Sequence, residues 1–202
     1  AERLFSDPTR NLRTSKADVF LALADWVNAH DVDGTVKMNC QGRWISSDRK
    51  HYPYGYPERI RNSLRQSLTR DEVTILPDAE IVNLGIILHP DQRDAVKQAL
   101  RLKLGSQLNI VSSDRDNLDV IRPDCSKAAA LALLAERYKV PLSEVIVIGD
   151  SENDLGMFNI VKMSYCMADA EPQIQQKAVQ TVRSVAAALE LEMAKLQAEP
   201  GF

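Results

Sequence analysis

The chain has 202 residues, 45% of them hydrophobic and 26% charged, with a formal net charge of −3. Chain of this length buries one good core or two small ones, and its Lys and Arg are spread along the sequence, which leaves no electrostatic footprint for nucleic acid. No stretch of about eighteen apolar residues is present to span a membrane.

The N-terminal "AERLFSDPTRNLR" has no apolar signal core. Cys40, Cys125 and Cys166 are odd in number and lack metal-type spacing, so they read as buried reduced thiols of a cytoplasmic protein. "SKADVFLALADWVNAH" predicts a helix, with Val19, Phe20, Leu23, Trp26 and Val27 on one face and Ser15 placed to cap it. "GTVKMNC" and "RWISS", split by Gln41-Gly42, predict a hairpin. "RKHYPYGYPER" is a polar-aromatic loop, and Trp44 with its His51, Tyr52, Tyr54 and Tyr56 could line a lid over a polar ligand or simply pack between the sheet and its helices. A helix is expected over "ERIRNSLRQSL", then strands over "EVTIL" and "IVNLGIIL". "DQRDAVKQALRLKL" is an amphipathic helix with Gly105 as its stop. "LNIVSS" and "NLDVIRP" are strands joined by an Asp-rich turn. Strands so close in sequence indicate an α+β domain on a mostly antiparallel sheet.

At Pro123 the pattern changes. "SKAAALALLAERYKV" is a strong helix with Ser126 as its cap candidate. "VIVIGD" is a continuous apolar run of the kind buried on both faces of a parallel sheet. "ENDLGMFNIV", "KMSYCMAD" and "EPQIQQKAV" read as helix, strand and helix, and "SVAAALELEMAKLQAE" as a last helix that covers the core or forms a dimer contact. The expected division is an N-terminal segment 1–14, an α+β domain 15–122 and an α/β portion 123–202, a doubly wound fragment.

The chemistry concentrates in "VIVIGDSENDLGMF". Its strand delivers Asp150 to the carboxyl end of a parallel sheet, where open α/β folds bind ligands. Asp150 and Asp154 flank a turn into a helix, and one or two carboxylates completed by water and phosphate suit Mg²⁺. Asn153 adds a neutral donor for a phosphate oxygen. Lys127, opening a helix behind Ser126, can neutralise a phosphoryl charge at a helix N-terminus that favours the same anion. Singly, each residue has a plainer reading: a solvated lysine, a helix cap, polar loop decoration.

Together, "NLDVIRPDCSKAAALALL", "VIVIGDSENDLGMF" and "SYCMADAEPQIQQKA" resemble the haloacid-dehalogenase (HAD) superfamily, most closely its Cof-type branch of sugar-phosphate and cofactor phosphatases with an inserted α/β cap. The resemblance implies a HAD-like Rossmannoid core, of which the C-terminal half is evident, with residues 15–122 as cap. It implies phosphoryl binding by Lys127, Mg²⁺ ligation by Asp150, metal support by Asp154, and a place near the phosphate for Asn153. It also implies hydrolysis of a small phosphorylated metabolite through an aspartyl-phosphate, with an Asp nucleophile and a second Asp as acid/base.

"HDVDGTV" spells that nucleophile pair at Asp31 and Asp33. What precedes it is helical in spacing, though, whereas the family places a buried strand there, so the run reads as a turn into a cap strand. The nucleophile motif is then expected to be missing. The chain would be impaired or inactive alone, its open sheet edge covered by a second copy or a partner. A non-catalytic binding or assembly module derived from a phosphatase, and an incomplete gene product, are the rival readings.

Overall fold

The computed structural model describes residues 15–47, 68–78, 81–104 and 107–198. Residues 1–14, the aromatic loop with His51, Tyr52, Tyr54 and Tyr56, the start of the helix expected from Glu58, and the stop at Gly105 lie outside the described residues. The chain divides into two compact units, 1–123 and 124–202.

In the first unit, helix α1 (Lys16–Ala29) starts at Ser15, whose hydroxyl accepts from the Asp18 amide at 3.1 Å. Its Val19, Phe20, Leu23, Trp26 and Val27 are all buried, as their helical spacing requires. His30 ends the helix and stacks on Trp26 at 4.4 Å. Asp31 then takes a left-handed φ of 51°, and "DVDGT" forms a turn that delivers Gly34 to strand β1 (Gly34–Cys40). Glycine is needed there, because a Cβ would lie 2.5 Å from the Ile87 carbonyl oxygen.

Strand β1 pairs antiparallel with β2 (Arg43–Ser46), and Gln41 and Gly42 supply the two positive φ values (52° and 77°) of a tight hairpin. With β3 (Ile81–Leu88), β4 (Asn109–Asp114) and β5 (Asn117–Ile121) they form a five-stranded antiparallel sheet in the order β2-β1-β3-β5-β4. One expectation fails here: "EVTIL" is not a strand. Residues Arg70–Thr74 form a short helix, α2, fixed by a capping box in which Thr69 and Glu72 satisfy each other's backbone amides. Helix α3 (Arg93–Leu104) follows β3.

Alternation sorts the sheet into two faces. Val36, Met38, Leu84, Ile86, Leu118 and Val120 point to one side and form a single core with Phe20 and Leu23 of α1 and Leu100 of α3. Each such aliphatic side chain contributes about 1.5–3 kcal/mol on burial. The other face is polar. Its central cross-strand row runs Ser46, Lys37, Gly85, Asp119, Val111, flanked by Trp44-Asn39-Asn83 on one side and Thr35-Ile87-Asn117 on the other.

The second unit opens with α4 (Lys127–Tyr138), capped by Ser126, which accepts from the Ala129 amide at 3.0 Å. Strands β6 (Ile146–Gly149), β7 (Met163–Met167) and β8 (Gln180–Val182) run parallel in that order. Strand β8 is too short to announce itself in the sequence. The helix expected over 152–161 is a 3₁₀ turn (Glu152–Asp154) leading into one turn of α-helix, α5 (Leu155–Phe158). The helix expected over 171–179 is likewise a single turn, α6 (Pro172–Gln175). A Cβ on Gly156 would stand 3.0 Å from the Ala128 Cβ, so α4 and α5 meet at small residues.

Two small apolar clusters lie against this sheet, one centred on Val147, Phe158, Cys166 and Ile174, the other on Tyr165, Val182 and Ala188. Strand β6 departs from the expectation of burial on both faces. It is outermost among the described strands, and its Ile146 is 39% exposed. The last helix, α7 (Val185–Ala198), buries only Ala188, while Leu189, Met193 and Leu196 are exposed. Besides Ala188, its tie to the sheet is polar: the buried Tyr165 hydroxyl donates to Glu192, which also accepts from Lys195 at 2.6 Å. Cys40 and Cys166 are buried thiols as expected, but Cys125 is exposed, since it precedes α4 in a segment that packs against neither cluster.

Candidate functional site

The carboxyl end of β6 gathers the predicted residues. Gly149 closes the strand, exposed Asp150 follows it, and the chain turns through Ser151 into the 3₁₀ turn that carries Asn153 and Asp154. Lys127 comes from the first residue of α4.

Asp154 is the hub. Its side chain is 3% exposed, and both carboxylate oxygens are engaged. Oδ2 accepts the backbone amides of Asp150 and Ser151 at 3.0 and 3.1 Å, and Oδ1 accepts from Lys127 Nζ at 2.5 Å. A buried carboxylate is tolerable only with such partners. Lys127 also donates to Asn153 Oδ1 at 3.0 Å. An ammonium has three donors, so one remains for a further acceptor. Half of the lysine side chain (49%) stays exposed to receive it.

Gly149 makes this packing possible. A Cβ there would lie 2.5, 2.6 and 2.7 Å from Asp154 Cβ, Cγ and Oδ2, so the space belongs to the carboxylate. Asp150 differs from Asp154 in that its carboxylate is exposed and accepts only from the Ser151 hydroxyl, at 3.0 Å, among the described residues. Ser151 is a member of this site that sequence reasoning missed. Its position directly after the Gly-Asp pair, at the head of the turn, was the available signal. Cys166 pairs with Gly149 in the β6–β7 register. Burial, followed by the fields of Asp150, Asp154 and Asp169, pushes its thiol pKa up, so it remains protonated and inert.

Chemically, the arrangement offers an ammonium held at a helix N-terminus, a neutral amide beside it, and one exposed carboxylate a few residues away. That suits a dianionic oxygen-rich group together with a cation. Among the described residues no cluster of three or more His, Cys, Asp or Glu side chains could cage a metal. Asp150 presents an exposed carboxylate at the strand end, and one carboxylate supplemented by water and a phosphate is within the habit of Mg²⁺. The other sequence candidates, Asp31 and Asp33, lie in the α1–β1 turn of the first unit, and β6 pairs with no described strand except β7.

Against known proteins, this architecture has a clear place. The chain belongs to the haloacid dehalogenase-like hydrolases, whose family model matches residues 13–187. The Streptococcus mutans UA159 protein SMU.1108c superposes with a TM-score of 0.69 at 16% identity, over 89% of this chain and 69% of that one. A structure described as the HAD subclass IIB sugar phosphatase BT4131 superposes with a TM-score of 0.65 at 11% identity, over 89% of this chain and 67% of that one. At such identities the likeness is one of fold. In sequence, an HMP-PP phosphatase of Cronobacter sakazakii is 29% identical over 99 residues, 49% of this chain and 36% of that protein. The matches span between 30% and 47% of the curated relatives' lengths. Among the described residues no helix is long and apolar enough to cross a membrane.

Proposed function

We propose that the end of β6 is the phosphoryl-binding half of a phosphatase-type site, acting on a small phosphorylated metabolite in the cytoplasm, with the attacking carboxylate brought neither by residues 124–202 nor by Asp31. The observation that carries this reading is the Lys127–Asp154–Asn153 constellation at the carboxyl end of a parallel strand, beside the exposed Asp150.

In this reading Lys127 binds a phosphate oxygen with its remaining donor, and Asn153 and Asp154 hold the ammonium in place. Asp154 also fixes the loop, so that Asp150 stands at the strand end with its carboxylate turned to solvent. Mg²⁺, when bound, would be held by Asp150 and would neutralise charge on the phosphoryl oxygens. With a single protein carboxylate its affinity is weak. The Ser151 hydroxyl orients Asp150 by donating to its Oδ1.

Inorganic phosphate observed by ³¹P NMR is the direct probe. Line broadening is expected with the native chain and is expected to vanish in Lys127→Ala. Any hydrolysis of p-nitrophenyl phosphate should be the same in Asp31→Asn as in the native chain. A Lys127→Ala variant that binds phosphate undiminished, or a loss of turnover in Asp31→Asn, would sink the reading.

The same reading extends to the outer edge of β6, whose backbone groups have no strand partner among the described residues. An open edge strand is a template for pairing, and we assign its cover to a second copy of this chain or to another protein. Sedimentation equilibrium of the purified chain is expected to give a mass above that of one copy. A single-chain mass at every concentration contradicts self-pairing.

A further inference from the structure

Gly156 is a glycine that its own backbone does not require. It is the second residue of α5, and among the described glycines only Gly42 takes a positive φ. Alanine is the better helix former at such a position. Gly156 is also exposed, so burial does not demand a small residue there. One neighbour from outside its own helix limits it among the described residues. A Cβ would stand 3.0 Å from the Ala128 Cβ, where ordinary contacts run from 3.4 to 4 Å. The glycine therefore answers to α4.

The part of α4 that it meets is the first turn. Ala128 follows Lys127 directly, and Gly156 lies two residues past Asp154. Lys127 Nζ reaches Asp154 Oδ1 at 2.5 Å and Asn153 Oδ1 at 3.0 Å, both on the 3₁₀ turn that runs into α5. The two segments are thus joined twice, by the ammonium and by the glycine–alanine contact. The second joint sets how far the lysine must stretch. With α4 close, one ammonium spans both acceptors and keeps its third N–H for another. A methyl group at 156 would push α4 off by a few tenths of an ångström. The longer bond, to the neutral Asn153, then gives way before the charged one to Asp154, and the third N–H swings from its aim.

We propose that Gly156 is a positioning residue of the phosphoryl site, acting through Ala128 to hold the Lys127 ammonium between Asn153 and Asp154. This role rests on the phosphoryl-binding reading of the β6 end. The missing side chain is the spacer that lets α4 come near enough for one lysine to serve both acceptors. A side chain at 156 leaves the fold intact and detunes the lysine, so binding and stability part company.

Titration of the full chain with inorganic phosphate by ³¹P NMR, with urea denaturation alongside, tests it. Affinity is expected to fall about threefold in Gly156→Ala and about tenfold in Gly156→Val, the latter the worth of about one hydrogen bond. The urea midpoint of Gly156→Ala is expected to hold at the native value, since alanine strengthens the helix while the contact strains it. A merely structural role would lower the two together. Giving the methyl group its space from the other side, in Gly156→Ala combined with Ala128→Gly, is expected to restore phosphate affinity. Should Gly156→Val fail to fold, the alanine variant and its rescue carry the test. Three results would overturn the inference while phosphate binding and its loss in Lys127→Ala still stand. They are native affinity in both Gly156 variants, a fall in affinity matched by a fall in stability, or a double variant no better than Gly156→Ala alone. A native chain that binds no phosphate removes the underlying reading and this role together.

Discussion

Replacing Gly149 by alanine is expected to cost about 3 kcal/mol and to abolish phosphate binding together with stability, a far larger effect than a single methyl group on a strand end ordinarily produces. The added carbon would stand 2.5–2.7 Å from three atoms of Asp154, inside any tolerable contact distance. Strand β6 is fixed in register by β7 and Gly149 is its last residue, so the Asp154 side chain is what must give way. As it moves, its hydrogen bonds with the amides of Asp150 and Ser151 break, and so does its contact with Lys127. Overpacking costs about 1–3 kcal/mol, and the stranded amides place this substitution at the upper end. Urea denaturation followed by circular dichroism gives the stability, and ³¹P line width gives the binding. An alanine variant with native stability and native phosphate binding would mean that the strand end can dilate, contrary to the packing described.

Asp154→Asn is the second large effect, and the argument is one of donors and acceptors. The carboxylate accepts at both oxygens, from two backbone amides on one side and an ammonium on the other. An asparagine has only one acceptor oxygen. Turned either way, its NH₂ meets an N–H donor, so one set of bonds is lost and replaced by repulsion. The group is buried, with 3% of its side chain exposed, while Lys127 is 49% exposed and can turn to water. That relief keeps the expected cost near ~2 kcal/mol, below the range for breaking a fully buried ion pair. With Lys127 released from its fixed position, phosphate affinity is expected to fall, but less than in Lys127→Ala, where the ammonium itself is gone. A variant that keeps native phosphate affinity would show that Asp154 does not position the lysine.

How much of this was legible in the sequence differs between the two units. Helix α1 and the hairpin after it could be read directly, because Val19, Phe20, Leu23 and Val27 follow a 3.6 period and Gln41-Gly42 marks a turn. The run 72–76 reads as a strand because Val73, Thr74 and Ile75 are β-branched, yet 70–74 is helical. The signal that decided it was Thr69 three residues before Glu72, a capping pair whose two hydrogen bonds outweigh a weak strand preference. At the site, the residue types and their order named Lys127, Asp150, Asn153 and Asp154 without coordinates. What sequence could not supply was the division of labour between the two acids, since burial separates them: Asp154 is spent on the protein and Asp150 is left to solvent. The part played by Gly156 was equally invisible, because a missing side chain matters only through what stands opposite it.

The near-touching of Gly156 and Ala128 bears on how the pocket is held. Lys127 is the immediate neighbour of Ala128, and Gly156 lies two residues beyond Asp154. The residues carrying the positive group and those carrying the negative one are therefore clamped by a contact with no flexible side chain in it to act as a bearing. The spacing between lysine and aspartate is thus set by a close approach of α4 and α5 as well as by the ion pair itself.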